Sequence, residues 1–104
     1  MRSISVEEAR EQLSGAAAPQ LVDCREEWEV AFCALPGHIH IPLDELSERA
    51  DELDPARPVL VYCHAGVRSL SACTILLHQG FQAINLRGGI DAWSVRIDPT
   101  VPRY

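Results

Sequence analysis

The run of residues 58–62, Pro-Val-Leu-Val-Tyr, constrains the fold more than any other part of the sequence. It is apolar, continuous and rich in residues that favour strands, which is typical of a strand buried on both faces at the centre of a parallel sheet. Neighbouring parallel strands cannot be joined by a tight turn, and the connection is usually a helix. We therefore expect the rest of the chain to alternate between strands and helices.

The other elements predicted from the sequence follow this alternation. Further strands, recognised as short apolar runs, are expected at residues 20–23, 38–41 and 83–86. Helices, most of them recognised by apolar residues spaced by three and four, are expected at residues 6–14, 26–32, 43–53, 69–79 and 90–95. This order predicts an α/β fold, in which helices cover both faces of a mostly parallel central sheet. Ligands of such sheets bind beyond the carboxyl ends of the strands.

Length and composition indicate one globular domain. The chain has 104 residues, of which 47% are hydrophobic and 23% are charged. We expect residues 1–104 to fold as a single domain without a metal or a disulfide to stabilise it. The four cysteines include no Cys-x-x-Cys pair, and we interpret them as reduced thiols. His38 and His40 lie on one side of a predicted strand, but no third ligand has suitable spacing, so no metal site is expected.

Charge and hydropathy exclude several classes of partner. Fifteen acidic and nine basic side chains give a net charge of −6. The basic residues are scattered, whereas phosphate binding needs a basic stripe, so a nucleic-acid partner is not expected. No stretch is long and apolar enough for a membrane helix, and the first residues lack the apolar core of a signal peptide. We expect no membrane partner and a cytoplasmic location.

The segment from Cys63 to Ser69 is the candidate site, because it connects the central strand to a helix. Its backbone N–H groups can point at the Cys63 sulfur, and Gly66 permits the tight curvature that this requires. A helix N-terminus and the nearby Arg68 should lower the pKa of the thiol, and the thiolate is the nucleophilic form. Arg68 also offers a planar fork that can hold an oxyanion. The candidate residues are Cys63, His64, Ala65, Gly66, Val67, Arg68 and Ser69.

This segment resembles the active-site loop of rhodanese-type sulfurtransferases, and the resemblance extends along most of the chain. The other matching motifs occur in the order that the family has them, from about residue 5 to residue 93. They are Asp23-x-Arg25 at a strand end, Glu27-Trp28, residues 35–42 with their Pro-Gly and Ile-Pro pairs, and Gly88-Gly89 followed by Trp93. The resemblance implies a rhodanese-like three-layer sandwich.

The resemblance also implies a reaction, in which sulfur is carried as a Cys63 persulfide. The donor would be thiosulfate or a persulfide, and the acceptor a nucleophile such as cyanide, a thiol or a component of a sulfur-carrier pathway. No metal or organic cofactor is implied. The tail, with residues 91–94 and 99–104, resembles rhodanese modules attached to enzymes that adenylate small sulfur-carrier proteins. A protein sulfur acceptor or carrier is therefore a candidate partner.

Two other functions stay open. Phosphatases and arsenate reductases of similar fold have a Cys-x5-Arg loop, whereas Cys63 and Arg68 form Cys-x4-Arg, which favours the sulfur-handling branch. Some rhodanese-like domains are non-catalytic binding or regulatory modules, but these usually lack the active cysteine, which is present here as Cys63.

Several residues outside the loop have two interpretations. Asp23 and Arg25 are either a structural pair that braces the loop or substrate contacts, and Arg87 either lines the entrance of the site or is a surface residue. Cys24 follows a strand end near the site and is the candidate second thiol, which would accept or resolve the persulfide. The remaining side chains with expected packing roles are Cys73, on one apolar helix face with Leu70 and Leu77, and Trp28 and Trp93, in the core or at a hinge.

Overall fold

The computed structural model describes all 104 residues, from Met1 to Tyr104. Its strands are β1 (Arg2–Ile4), β2 (Gln20–Asp23), β3 (Ile39–His40), β4 (Val59–Tyr62) and β5 (Ala83–Leu86). Its helices are α1 (Val6–Leu13), α2 (Glu27–Phe32), α3 (Leu46–Arg49), α4 (Arg68–His78) and α5 (Gly89–Arg96). The strands form one sheet in the order β1-β5-β4-β2-β3, with every pairing parallel. No helix combines the length and the apolar character needed to cross a lipid bilayer.

Two apolar clusters lie on opposite faces of this sheet. One face is covered by α1 and α5, which contribute Val6, Ala9, Ile90 and Trp93. The other is covered by α3 and α4, which contribute Leu46, Ala72, Cys73 and Leu76. Strand β4 pairs with β2 on one side and with β5 on the other, so all four of its residues are buried. The α/β sandwich predicted from the sequence, with β4 at the centre of a parallel sheet, is confirmed.

Two predicted elements differ in extent from those of the structure. The helix expected over residues 43–53 is divided into a 3₁₀ turn (Leu43–Glu45), α3 and a second 3₁₀ turn (Ala50–Glu52). The segment lies between two prolines, and helix ends commonly tighten into 3₁₀ turns. Strand β3 has only two residues, because it is an edge strand that pairs with β2 alone.

The buried face of α4 is not the one that the sequence predicted. Leu70 and Leu77 are 40% and 44% exposed. The buried residues of α4 follow a regular helical spacing of three, one and three: Ser69, Ala72, Cys73 and Leu76. The prediction gave weight to Leu70 and Leu77, whereas the buried face includes the small side chains of Ser69 and Ala72. Cys73 is buried, as expected.

Three further features were missed or wrongly predicted. Strand β1, which adds to the sheet beside β5, has only three residues and no recognisable pattern. Trp28 is 63% exposed rather than buried, because α2 turns the neighbouring Glu29 inward instead. The two prolines of the tail predict an extended course, but the Val101 N–H donates to the Asp98 carbonyl at 3.1 Å, and the chain turns back. This turn brings Tyr104 to the candidate site.

Helix α5 begins where it can hold the chain that follows β4. The Ile90 N–H donates to the Cys63 carbonyl at 2.9 Å, and the Asp91 N–H donates to the His64 carbonyl at 3.0 Å. Gly89, the first residue of α5, has φ +60°, and a Cβ atom there would lie 2.5 Å from the Cys63 carbonyl oxygen. The helix can approach the loop this closely only because Gly89 has no side chain.

We expect Gly89→Ala to lower the free energy of unfolding by about 2–4 kcal/mol, because it adds both left-handed backbone strain and a clash with the loop. Gly80→Ala is the matched control, since Gly80 also has a positive φ, +89°, but nothing within 4 Å of the added Cβ. It should cost only the backbone strain, about 1–2 kcal/mol. Urea denaturation of both variants measures the difference, and equal losses would contradict the close approach.

Candidate active site

The Cys63 sulfur lies at the end of β4, enclosed by the loop that leads into α4. It accepts hydrogen bonds from the Gly66 N–H at 3.2 Å and the Ser69 N–H at 3.4 Å. The Ser69 hydroxyl lies 3.4 Å from the sulfur and donates to the Asn85 side chain on β5. Gly66 has φ +92°, and its backbone passes close to Gly88, so a side chain is excluded there. The loop therefore curls around the sulfur, as the sequence suggested.

The surroundings of Cys63 stabilise its thiolate. Its pKa is lowered from 9.0 to about 4, first by the neighbouring Cys24 thiol and then by Ser69 and the Gly66 N–H, while burial opposes the shift. The thiol is 1% exposed, so these contacts outweigh a substantial cost of desolvation. Cys63 is consequently an anion at neutral pH, and a nucleophile.

Arg68 does not stand free beside the sulfur. Its guanidinium makes a two-pronged ion pair with Glu29, with N–O distances of 2.6 and 2.8 Å. The pair raises the pKa of Arg68, to which the charge on Cys63 adds a smaller amount. Arg68 thus contributes a positive charge near the loop, but the Glu29 carboxylate already balances this charge, and no local sequence pattern predicts that pairing.

Glu29 and Tyr104 are the two site residues that the sequence analysis missed. Glu29 is 3% exposed, and besides Arg68 it accepts hydrogen bonds from the Tyr104 hydroxyl at 2.7 Å and the Glu26 N–H at 2.9 Å. Arg68 is the main cause that lowers the pKa of Glu29 to about 2. The spacing of Glu26 and Glu29 is that of a capping box and could have indicated the start of α2. Nothing local links Glu29 to Arg68, which is 39 residues away.

Tyr104 connects this network to the loop. Its ring stacks on the His64 imidazole, with centroids 4.1 Å apart and an interplanar angle of 16°. Its hydroxyl accepts a hydrogen bond from Arg25 Nη1 at 2.8 Å. The ring also meets Trp28 and Phe32 edge-on, at 5.8 Å in each case. The exposed aromatic side chains of α2 thus gather around one tyrosine next to the candidate site.

Asp23 and Arg25 form an ion pair that is completely buried, at 0% exposure for both side chains. Arg25 donates to both Asp23 carboxylate oxygens, to the Cys33 carbonyl at 2.6 Å and to Tyr104. All three guanidinium nitrogens are thereby occupied within the protein. This geometry favours the bracing interpretation over substrate contact.

The remaining predicted site residues lie on the outer side of the loop or on the surface beyond it. His64 is half-buried, and Ala65 and Val67 are exposed. The amide N–H groups of these three residues have no acceptor within the protein. Arg87 is exposed, and its guanidinium approaches only the Ser3 carbonyl, at 3.4 Å. Its contacts favour the surface interpretation.

The family to which the chain belongs follows from this fold and this loop. Residues 5–96 match the model of the Rhodanese-like domain, and the chain is a member of that family. A sulfurtransferase of Allochromatium vinosum is 35% identical over 95 residues, which cover 90% of this chain and 89% of that protein. The crystal structure of a rhodanese-like domain protein from Staphylococcus aureus is 28% identical, has a TM-score of 0.87, and is matched over 100% of this chain and 99% of its own.

A larger relative carries the same domain as one part. The mouse protein named adenylyltransferase and sulfurtransferase MOCS3 is 33% identical over 127 residues. The match covers 97% of this chain but 27% of the mouse protein. The family resemblance drawn from the sequence is thus confirmed, and sulfurtransferases are among the relatives.

Thiolate formation at Cys63 should titrate with a midpoint near pH 4. Because the pKa is lowered, the reactive anion is present above that pH and is lost as the pH falls through it. We expect Cys24→Ala to raise the midpoint by about one to two pH units, the equivalent of one hydrogen bond to a charged group. The ultraviolet absorbance of the thiolate measures this, with Cys63→Ser as the blank. An unchanged midpoint would show that Cys24 does not act on Cys63.

Replacing Glu29 should destabilise the protein, because Arg68 and Tyr104 lose a buried charged partner. We expect Glu29→Gln to lower the free energy of unfolding by about 2 kcal/mol at neutral pH. The pKa of Glu29 is lower in the folded state, so its stabilising effect is complete above pH 4.5 and is lost as the pH falls towards 2. The difference between wild type and variant in urea denaturation should shrink over that range.

Glu52→Gln is the control for this experiment, since Glu52 pairs with Arg49 on the surface. Its stability should match that of the wild type, because exposed ion pairs contribute little. If Glu29→Gln loses no more free energy of unfolding than this control, the contacts of Glu29 with Arg68 and Tyr104 do not stabilise the fold.

Proposed function

We propose that this protein is a sulfurtransferase that carries sulfane sulfur as a Cys63 persulfide. The observation that carries the proposal is the position of the Cys63 sulfur, which is buried at the end of β4 within a loop of backbone donors, and the lowered pKa of this thiol supports it. Relatives of similar length in the same family are named sulfurtransferases, which supports this function. The donor is thiosulfate or a persulfide, and the acceptor is a nucleophile such as cyanide or a thiol.

The first step is attack by the Cys63 thiolate on the outer sulfur of the donor. The S–S bond of the donor breaks, its remaining part leaves as sulfite or as a thiolate, and the sulfane sulfur stays on Cys63. In the second step an acceptor nucleophile attacks this outer sulfur and restores the thiolate. The free amide groups of His64, Ala65 and Val67 supply hydrogen-bond donors for the negative charge on the outer sulfur.

The partners are also part of this proposal. Besides the small sulfur donor we propose a protein sulfur acceptor or carrier, in view of the resemblance to domains attached to adenylating enzymes and of the mouse relative's name. The acidic net charge of −6 suits an acceptor with a basic surface. The single domain over residues 1–104, the cytoplasmic location and the lack of a cofactor, nucleic-acid or membrane partner stay predictions.

Mass spectrometry of the intact protein tests the function. Reduced protein incubated with thiosulfate, or with a persulfide donor, should gain one sulfur atom, which a thiol then removes. Cys63→Ser should gain none, and Cys73→Ser, which changes a buried thiol on α4, should behave as the wild type. Removal by thiol separates a persulfide from a sulfinic acid of nearly equal mass.

Two results would overturn this function. One is the failure of wild-type protein to gain sulfur from either class of donor. The other is Cys63-dependent hydrolysis of an aryl phosphate without sulfur transfer, which would favour the phosphatase-like alternative. A Cys63 that is inert towards sulfur donors and alkylating reagents alike would instead indicate a binding module.

A further inference from the structure

Cys24 and Cys63 occupy equivalent positions at the ends of neighbouring strands. In the pairing of β2 with β4, Asp23 lies opposite Tyr62, and the Cys24 N–H continues the ladder by donating to the Tyr62 carbonyl at 3.1 Å. The next pair in this register is Cys24 and Cys63. Adjacent strands are about 4.8 Å apart, within the range of about 4.4–6.8 Å between Cα atoms that a disulfide requires.

The two side chains also lie on the same face of the sheet. Both belong to the apolar cluster beneath α3 and α4, and each is 1% exposed. The Cys24 thiol donates to the Tyr62 carbonyl, 3.4 Å from its sulfur, and Cys24 is the neighbour that lowers the pKa of Cys63 most. Cys24 therefore approaches Cys63 from the core, whereas a donor must reach Cys63 from solvent.

The other two cysteines do not share this position. Cys33 is directed at the Pro102 carbonyl, at 3.5 Å, near the tail. Cys73 is buried on α4 and is not a strand neighbour of Cys63. Cys24 is thus the thiol that the sheet register places against the candidate nucleophile.

We propose that Cys24 discharges the Cys63 persulfide from within the protein, releasing hydrosulfide and leaving a Cys24–Cys63 disulfide. The inference rests on the proposed function, because it needs a persulfide on Cys63. The Cys24 sulfur attacks the inner sulfur, Sγ of Cys63, and the bond from Sγ to the outer sulfur breaks. The outer sulfur leaves with the electron pair and is reduced to hydrosulfide, while the two cysteines are oxidised. The Cys24 proton goes to the leaving sulfur, so no external oxidant takes part.

The direction of approach suits this step. Displacement at a sulfur atom is in line, so the nucleophile and the leaving sulfur must lie on opposite sides of Sγ. Cys24 lies on the core side of Cys63, and the sulfane sulfur arrives from the solvent side. The leaving group is hydrosulfide, which is a weaker base than a cysteine thiolate and leaves readily.

The same contact explains why discharge does not compete with ordinary transfer. The pKa of Cys24 is strongly raised, first by the neighbouring Cys63 and then by burial, so Cys24 stays protonated beside the thiolate. In the persulfide the negative charge moves to the outer sulfur, one bond further from Cys24. The charge then raises the pKa of Cys24 less, and Cys24 gives up its proton more easily. An available acceptor takes the sulfur first. Without one, the protein releases sulfide, and a dithiol reductant must reopen the disulfide before the next cycle.

The test starts from wild-type protein loaded with sulfur from thiosulfate, or from a persulfide donor, and freed of donor under anaerobic conditions. After acid quenching, labelling with a maleimide counts the free thiols, of which the reduced chain has four. We expect the added sulfur to disappear as free sulfide appears in equal amount, with two labels fewer per chain. Peptide mapping should locate a Cys24–Cys63 disulfide, and the rate should not depend on protein concentration.

Cysteine variants distinguish sulfide release by Cys24 from release by any other nucleophile. Cys24→Ser and Cys24→Ala, each checked for sulfur loading first, should release sulfide at least about tenfold more slowly, as expected when an intramolecular nucleophile is lost. Cys33→Ser is the matched control and should match the wild type.

Loss of sulfur from the wild type without a Cys24–Cys63 disulfide would overturn the inference whatever the variants do. So would equal sulfide release in Cys24→Ser. Failure of the wild type to load sulfur at all would instead overturn the proposed function, so the two failures are distinguishable.

Discussion

The loop after β4 depends on hydrogen bonds from the first turns of two helices. At the start of α4, the Ser69 N–H donates to the Cys63 sulfur, and at the start of α5, the N–H groups of Ile90 and Asp91 donate to loop carbonyls. The first N–H groups of a helix have no hydrogen-bond partner within the helix. The N-termini of α4 and α5 can therefore both donate to the loop without losing a helical hydrogen bond. One set stabilises the anion and the other fixes the backbone that carries it. The shape of the loop, and with it the chemistry, follows from where α4 and α5 begin.

A second consequence concerns charge. Near the Cys63 thiolate the positive charges are already paired: Arg68 with Glu29, and Arg25 with Asp23. The anion is therefore stabilised mainly by neutral donors, first Cys24 and then Ser69 and Gly66. Such a site attracts a doubly charged donor less strongly than one with a free arginine would, and the net charge of −6 acts in the same direction.

The sequence was informative wherever structure depends on neighbours along the chain. The apolar run of β4 and the glycine-containing loop after Cys63 each carry a local pattern, and the family motifs fix their order. The features that the sequence could not indicate depend on contacts between residues that are distant along the chain. Glu29 meets Arg68 only after α2 and α4 have packed, and Tyr104 reaches His64 only because the tail turns back. The inward face of α4 was missed because it includes the small side chains of Ser69 and Ala72, whereas the prediction followed the larger Leu70 and Leu77.

The position of Cys24 shows how strongly the sheet register determines the chemistry of this site. Side chains alternate between the two faces of a strand, so a slip of one residue between β2 and β4 would move Cys24 to the opposite face. The Cys63 thiolate would then lose the donor with the largest effect on its pKa. In the discharge proposed above, Cys24 has two roles that exclude each other in time. While it keeps its proton it helps to stabilise the resting anion, and it acts as a nucleophile once the charge has moved to the outer sulfur.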